Sequence, residues 1–183
     1  MKILLLGPRN EELKYFLVNH GHKILEHEAP VNVQFFKYSK IDFAISYGYR
    51  YIVKSNVLNY MKDRIINLHI SYLPWNRGAD PNLWSFLEDT PKGVTIHYMD
   101  AGIDTGDIIA QKELTFDYTF QTLKTTYSRL QKEMLVLFKE TWPLIDIGGD
   151  TPISTAHEWH SPSSIGQILF QAPLSQRMGY ACA

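Results

Sequence analysis

Short apolar runs alternate with stretches of helical period over most of the chain. Lys2–Leu6 is an apolar run ended by the turn pair Gly7-Pro8, and it reads as a first buried strand. A helix is expected from about Asn10 to Asn19, where Leu13, Phe16 and Leu17 share a face and Gly21 stands at the C-cap. Lys23–Leu25 reads as a second strand and Asp42–Ser46 as a third, closed by Tyr47-Gly48. Ser55 is placed to cap a helix to about Met61, and Ile65–His69 is the next buried strand. Ser71–Pro81 holds Pro74, Gly78 and Pro81, so it is a loop, with Pro81 opening a helix that carries Leu83, Trp84, Phe86 and Leu87. Trp84 is expected in the core.

Gly93–Met99 and Ile108–Phe116 read as two more strands joined by the Gly- and Asp-rich turn Asp100–Asp107. The longest helix is expected from Thr119 to about Thr141, with Leu123, Tyr127, Leu130, Met134 and Phe138 as a core stripe. The pattern stops at Trp142-Pro143, so the chain reads as one domain over 1–183 with 143–183 as a C-terminal arm. Strands alternating with helices indicate an α/β fold with a mostly parallel sheet flanked by helices. Ligands of such sheets gather beyond the carboxyl ends of the strands.

Composition narrows the partners more than the fold. The 183 residues suit one domain, and the formal net charge of -1 offers no broad attraction to nucleic acid. The apolar run at the start is too short for a signal segment or a membrane span, so no membrane partner is expected. The single cysteine, Cys182, cannot form an internal disulfide, which agrees with a reduced, cytoplasmic setting.

Asn67-Leu68-His69 closes a predicted strand, and period-two alternation puts Asn67 and His69 on one side of it. The pair alone reads equally well as polar groups satisfied at a strand end or as a functional pair. Asp104 lies between Gly102 and Gly106, whose freedom allows a tight path presenting one carboxylate inward. An ordinary turn held by Asx hydrogen bonds is the other reading. His157-Glu158-Trp159-His160 lacks the His-Glu-x-x-His spacing of zinc proteases, and no metal is expected.

Taken together, Ile66-Asn67-Leu68-His69-Ile70-Ser71-Tyr72-Leu73-Pro74, then Arg77-Gly78, Pro81 and Trp84, then Gly93-Val94-Thr95-Ile96-His97 and Asp104-Thr105-Gly106-Asp107-Ile108-Ile109 resemble the folate-dependent formyltransferase family. The loop Tyr72–Trp84 is most similar to bacterial sugar N-formyltransferases acting on nucleotide-linked 4-amino-4,6-dideoxyhexoses in cell-surface glycan synthesis. The resemblance implies a Rossmann-like catalytic domain with N10-formyltetrahydrofolate as co-substrate. It implies that Asn67 holds the formyl oxygen, His69 acts as acid and base, and Asp104 orients and charge-balances His69. It sets the pterin against Tyr49, Arg50, Tyr51 and Ile52 and against Met99, Asp100 and Ala101, although Arg50 reads equally as a solvent-facing residue.

The residue types suit this chemistry in their own right. Attack of an amine on a formyl carbon gives an oxyanion and an ammonium, and the nitrogen must lose a proton before the folate nitrogen departs. Histidine, with an ordinary pKa of about 6.5, exchanges protons near neutrality. An amide N–H₂ stabilises the oxyanion, an effect of about 10²–10³ in rate.

For the acceptor, Tyr72 and Trp75 offer aromatic faces, Arg77 a cation for a diphosphate, and Asn76 a polar contact. Trp75 and Arg77 read as readily as ordinary loop residues. His97, Tyr98 or the arm are further places to look for substrate contacts. A tRNA enzyme of this family would carry a further C-terminal domain, and a formyltetrahydrofolate hydrolase an N-terminal one. The expected acceptor is therefore a UDP- or dTDP-linked amino sugar. The alternatives are a glycinamide ribonucleotide transformylase and an inactive folate-binding module. Family habit suggests a homodimer through the long helix or the apolar positions Ile165, Ile168, Leu169 and Phe170 of the arm.

Overall fold

The computed structural model describes residues 1–147. Among them, strands Lys2–Leu6 (β1), Lys23–His27 (β2), Phe43–Ser46 (β3), Ile65–His69 (β4), Lys92–Tyr98 (β5) and Ile108–Leu114 (β6) form one sheet in the order β2-β1-β3-β4-β5-β6. β2, β1, β3 and β4 pair in parallel, whereas β4–β5 and β5–β6 are antiparallel. The helices are Glu11–Asn19 (α1), Val33–Ser39 (α2), Ser55–Tyr60 (α3), Pro81–Leu87 (α4) and Leu123–Ile147 (α5). This is the expected α/β architecture, Rossmann-like and mostly parallel.

Local chemistry accounts for most element ends. The Asn10 side chain accepts from the Leu13 N–H at 2.9 Å, and Glu11 and Glu12 fill the first turn of α1, where the helix dipole favours acids. α2 was not expected from the sequence. Asn32 caps it, but of its seven residues only Phe36 is buried, too few to print a helical period. Ser55 is the first residue of α3 and not its cap; Lys54 holds the cap position without a side-chain bond.

Two expectations fail because polar or distant contacts decide the packing. Trp84 is 47% exposed, and α4 buries Pro81, Asn82 and Ser85 instead. Asn82 Nδ2 donates to the Leu123 carbonyl at 3.0 Å and its Oδ1 accepts from Thr126 Oγ1 at 3.1 Å, which turns the polar edge of α4 onto α5. The helix also does not end at Trp142-Pro143. It starts after a 3₁₀ turn at Tyr118–Phe120 and runs through Pro143 to Ile147. Trp142 is fully buried among the rings of Phe43, Phe138 and His22, and Ile145 is buried one turn on. That packing outweighs the single N–H that Pro143 cannot supply. Leu130, Met134 and Phe138 are core as expected, while Leu123 and Tyr127 are half exposed. Residues 148–183, with Cys182, His157, His160 and the apolar positions of the arm, lie outside the described residues.

The sheet has two unequal faces. α1 and α5 pack with Ile3, Leu5, Ile45, Ile66 and Leu68 on one side. α2 and α3 pack with Leu4, Leu6, Ala44 and Ile65 on the other. Alternation along β4 puts Asn67 and His69 on the second face, and pairing sets His97 opposite Asn67 and Thr95 opposite His69. Over β4 and β5 this face therefore carries polar side chains beside the apolar cluster, and the site forms there.

The turn after β5 allows no added volume. A Cβ on Gly106 would collide with the Tyr98 carbonyl. Gly106→Ala is expected to cost about 1–3 kcal/mol, read as a lower urea midpoint at unchanged slope. An unchanged midpoint would show that the turn has room.

Candidate active site

The carboxylate of Asp104 gathers the site. Its side chain is 13% exposed, and its Oδ1 accepts from Asn67 Nδ2 at 3.1 Å while Oδ2 accepts from the Gly78 N–H at 2.8 Å. His69 Nδ1 lies 3.5 Å from Oδ2, and His97 Nε2 lies 3.4 Å from Oδ1. Asp104 itself has a left-handed backbone, with φ of 49°. Asp100 shapes the turn that delivers it, accepting from the Gly102 N–H at 3.1 Å and from Thr105 Oγ1 at 2.7 Å. The three residues expected to act together are thus in one cluster.

His97 belongs to that cluster as well. It is 1% exposed, so it is an inner residue and not a substrate-facing one. Its Nδ1 donates to the Tyr98 carbonyl at 2.7 Å. Its Nε2 stands 3.4 Å from both Asn67 Nδ2 and Asp104 Oδ1. The sequence marks His97 as a motif residue, but its place beside Asn67 and Asp104 follows from the cross-strand register Asn67↔His97, which no single segment of sequence contains.

Burial alone would push the Asp104 carboxyl up. The hydrogen bond from His97, the His69 ring and the Gly78 N–H outweigh burial and hold it at about 2. The Gly78 and Asn67 donors persist whatever charge the rings carry, so Asp104 is an anion at neutral pH. For His69, burial is the largest influence and lowers its pKa; Asp104 and the Asn76 carbonyl offset this only in part. A neutral His69 donates from Nε2 to the Asn76 carbonyl at 3.1 Å, which leaves the Nδ1 lone pair available beside Asp104. A proton taken up at Nδ1 is immediately balanced by that carboxylate.

The residues expected to bind the acceptor share the loop after β4. Tyr72 and Trp75 are stacked, with ring centroids 6.1 Å apart and planes 13° from parallel. Arg77 is exposed two residues on. Asn76 differs from expectation in its side chain, which is bonded to Thr90 Oγ1 at 2.6 Å and to Glu88 at 3.2 Å. The loop backbone is anchored from below, since Thr95 Oγ1 donates to the Ser71 carbonyl and Gln111 Nε2 to the Leu73 carbonyl.

Of the positions expected at the pterin, Tyr49 and Met99 pack against the cluster on the face that carries Asn67 and His69. Arg50, Tyr51, Ile52, Asp100 and Ala101 are exposed beside them, Ile52 at 87%. Among the described residues no group of three or more His, Cys, Asp or Glu is placed to hold a metal ion.

Comparison with known proteins bears on the family and the fold. Residues 21–140 match the formyl transferase family. The crystal structure of the formyltransferase PseJ from Anoxybacillus kamchatkensis, in complex with UDP-4,6-dideoxy-4-formamido-L-AltNAc and tetrahydrofolate, is 50% identical with a TM-score of 0.78, covering 87% of this chain and 85% of that one. Phosphoribosylglycinamide formyltransferase from Bacillus halodurans is 29% identical with a TM-score of 0.61, covering 77% and 78%. Methionyl-tRNA formyltransferase from Bacillus licheniformis is 36% identical over 112 residues, which is 61% of this chain and 35% of that protein. The chain spans between a quarter and just under half of the first curated relatives it matches. With the match covering most of its described residues and the Asn67, His69 and Asp104 cluster inside it, the chain belongs to the formyl transferase family.

Proposed function

We propose that the protein transfers the formyl group of N10-formyltetrahydrofolate to the amino group of a nucleotide-linked amino sugar. One observation carries the choice of acceptor: half identity over most of the chain to a formyltransferase crystallised with a UDP-linked formamido sugar and tetrahydrofolate. The stacked Tyr72–Trp75 pair and the exposed Arg77 support it, as an aromatic platform and a cation for a nucleoside diphosphate sugar.

In this reading the acceptor amine attacks the formyl carbon, and the oxyanion takes a hydrogen bond from the Asn67 amide. The lone pair at His69 Nδ1 receives the ammonium proton, Asp104 balances the imidazolium, and the proton passes to folate N10 as its bond to the formyl carbon breaks. The new amide and tetrahydrofolate leave, and His69 is neutral again. A cytoplasmic setting is part of the reading, because both substrates are multiply charged. A homodimer is also part of it, supported by the exposed Leu83, Trp84 and Leu87 of α4 beside Leu123. Among the described residues no helix is long and apolar enough to cross a membrane.

Mass spectrometry decides the acceptor. With N10-formyltetrahydrofolate and a panel of UDP- and dTDP-linked 4-amino-4,6-dideoxyhexoses plus glycinamide ribonucleotide, a formyl-sized mass gain is expected on an amino sugar. Formylation of glycinamide ribonucleotide alone would overturn the sugar reading, and folate binding without turnover of any amine would leave a binding module.

His69→Ala and Asp104→Ala are each expected to lower turnover at least about 10²-fold with the far-UV spectrum unchanged. Near-normal rates in either would refute the assigned roles. The rate of the intact protein should fall as pH drops through the His69 pKa, because only the neutral ring accepts a proton. Burial places that midpoint below the usual histidine value, and Asp104, ionised down to about 2, adds no limb near neutrality. A midpoint above about 7 would contradict this assignment.

A further inference from the structure

We infer that Asn76 is the positioning residue for His69, the role of orienting the ring that the family resemblance gives to Asp104. The inference rests on the reading of His69 as the proton-transfer residue. Distance separates the two neighbours of the ring. Nε2 meets the Asn76 main-chain carbonyl at 3.1 Å, a normal hydrogen bond, whereas Nδ1 meets Asp104 only at 3.5 Å. The carbonyl selects the Nε2–H form and so keeps the Nδ1 lone pair as the basic site. Without it, the carboxylate would favour the opposite form, with the proton on Nδ1 and no lone pair beside Asp104.

Asn76 is built to hold that carbonyl still. Its backbone is left-handed, with φ of 54°, a conformation that Asn tolerates better than most residues with a Cβ. Its side chain spans two anchors in the turn between α4 and β5: Oδ1 accepts from Thr90 Oγ1 at 2.6 Å and Nδ2 donates to Glu88 Oε2 at 3.2 Å. Thr90 is fixed in turn, for the ammonium of Lys92, only 6% exposed, donates to its carbonyl at 2.8 Å. A chain of bonds therefore runs from Lys92 through Thr90 and Asn76 to the His69 ring. The same loop reaches Asp104 through the Gly78 N–H, so Arg77 stands between the segment that holds the histidine and the one that holds the carboxylate. The titratable groups facing His69 are Asp104 and the His97 ring, 6.3 Å away and nearly perpendicular.

The test is two-bond ¹H–¹⁵N NMR of the His69 ring across a pH titration, assigned against His69→Ala, in the full chain without substrate. Wild type and Thr90→Ser should show the Nε2–H form when neutral. Thr90→Val, which removes the anchor without touching residue 76, should shift the ring toward Nδ1–H and lower its pKa by about half a unit or more. Asn76→Ala should do the same. Formyl transfer in Thr90→Val should lose about tenfold in kcat with KM for folate little changed, and Thr90→Ser should restore it. A His69 tautomer and pKa identical in wild type, Thr90→Val and Asn76→Ala would overturn the inference while leaving the catalytic reading intact. An active His69→Ala enzyme would overturn that reading, and the inference with it.

Discussion

A buried carboxylate that must be satisfied on every side organises this protein. Leaving the charge of Asp104 without partners would cost several kcal/mol, so its donors are a folding requirement whatever chemistry the site performs. They come from β4, from β5 and from the loop after β4, and β5 meets the other two only when the antiparallel β4–β5 register is right. A one-residue slip would put Asn67 and His97 on opposite faces and break the cluster. Gly102 and Gly106 belong to the same constraint, since the turn must fold tightly enough for Asp104 to reach back over β4.

The uneven covering of the sheet gives that cluster its setting. One face is sealed by α1 and the long α5, with Trp142 and Phe138 at its centre. The other is covered by the short α2 and α3 only over the parallel strands. Beyond them an irregular loop closes over the polar side chains, and its backbone groups find partners in buried Thr95 and Gln111. Irregular backbone can lie over a core only when such partners exist. The loop that lies over the histidine also carries the aromatic pair and the exposed arginine, so the proposed acceptor surface and the histidine share one piece of chain.

The electrostatics divide the labour between neighbouring groups. The His97 and His69 rings, the Gly78 N–H and the Asn67 amide together hold Asp104 ionised against its burial. Burial keeps His69 neutral, and a carbonyl chooses which of its nitrogens carries the proton. A pair pulled apart in this way is the arrangement expected of an acid and base working near neutrality.

Much of this was written in local sequence. Strands β1, β3, β4, β5 and β6 are apolar runs bounded by turn residues, and α1 announces its cap and its buried face. Asn67, His69 and Asp104 were legible as a set because several separated motifs agreed, and the loop from Tyr72 to Arg77 was legible as a candidate surface. What stayed hidden depended on contacts between distant segments. α2 has too few buried residues to show a period, α4 turns its polar edge inward because Leu123 and Thr126 hydrogen-bond Asn82 there, and α5 passes Pro143 because Trp142 packs against the rings of His22, Phe43 and Phe138. The place of His97 beside Asp104 and the bonds of the Asn76 side chain to Thr90 and Glu88 belong with these. The chain by itself determined which groups could do chemistry, because residue type and period are local properties. Only the tertiary structure decided which nitrogen of His69 is basic and what holds it, because those answers lie in bonds to residues 7 and 35 positions away along the chain.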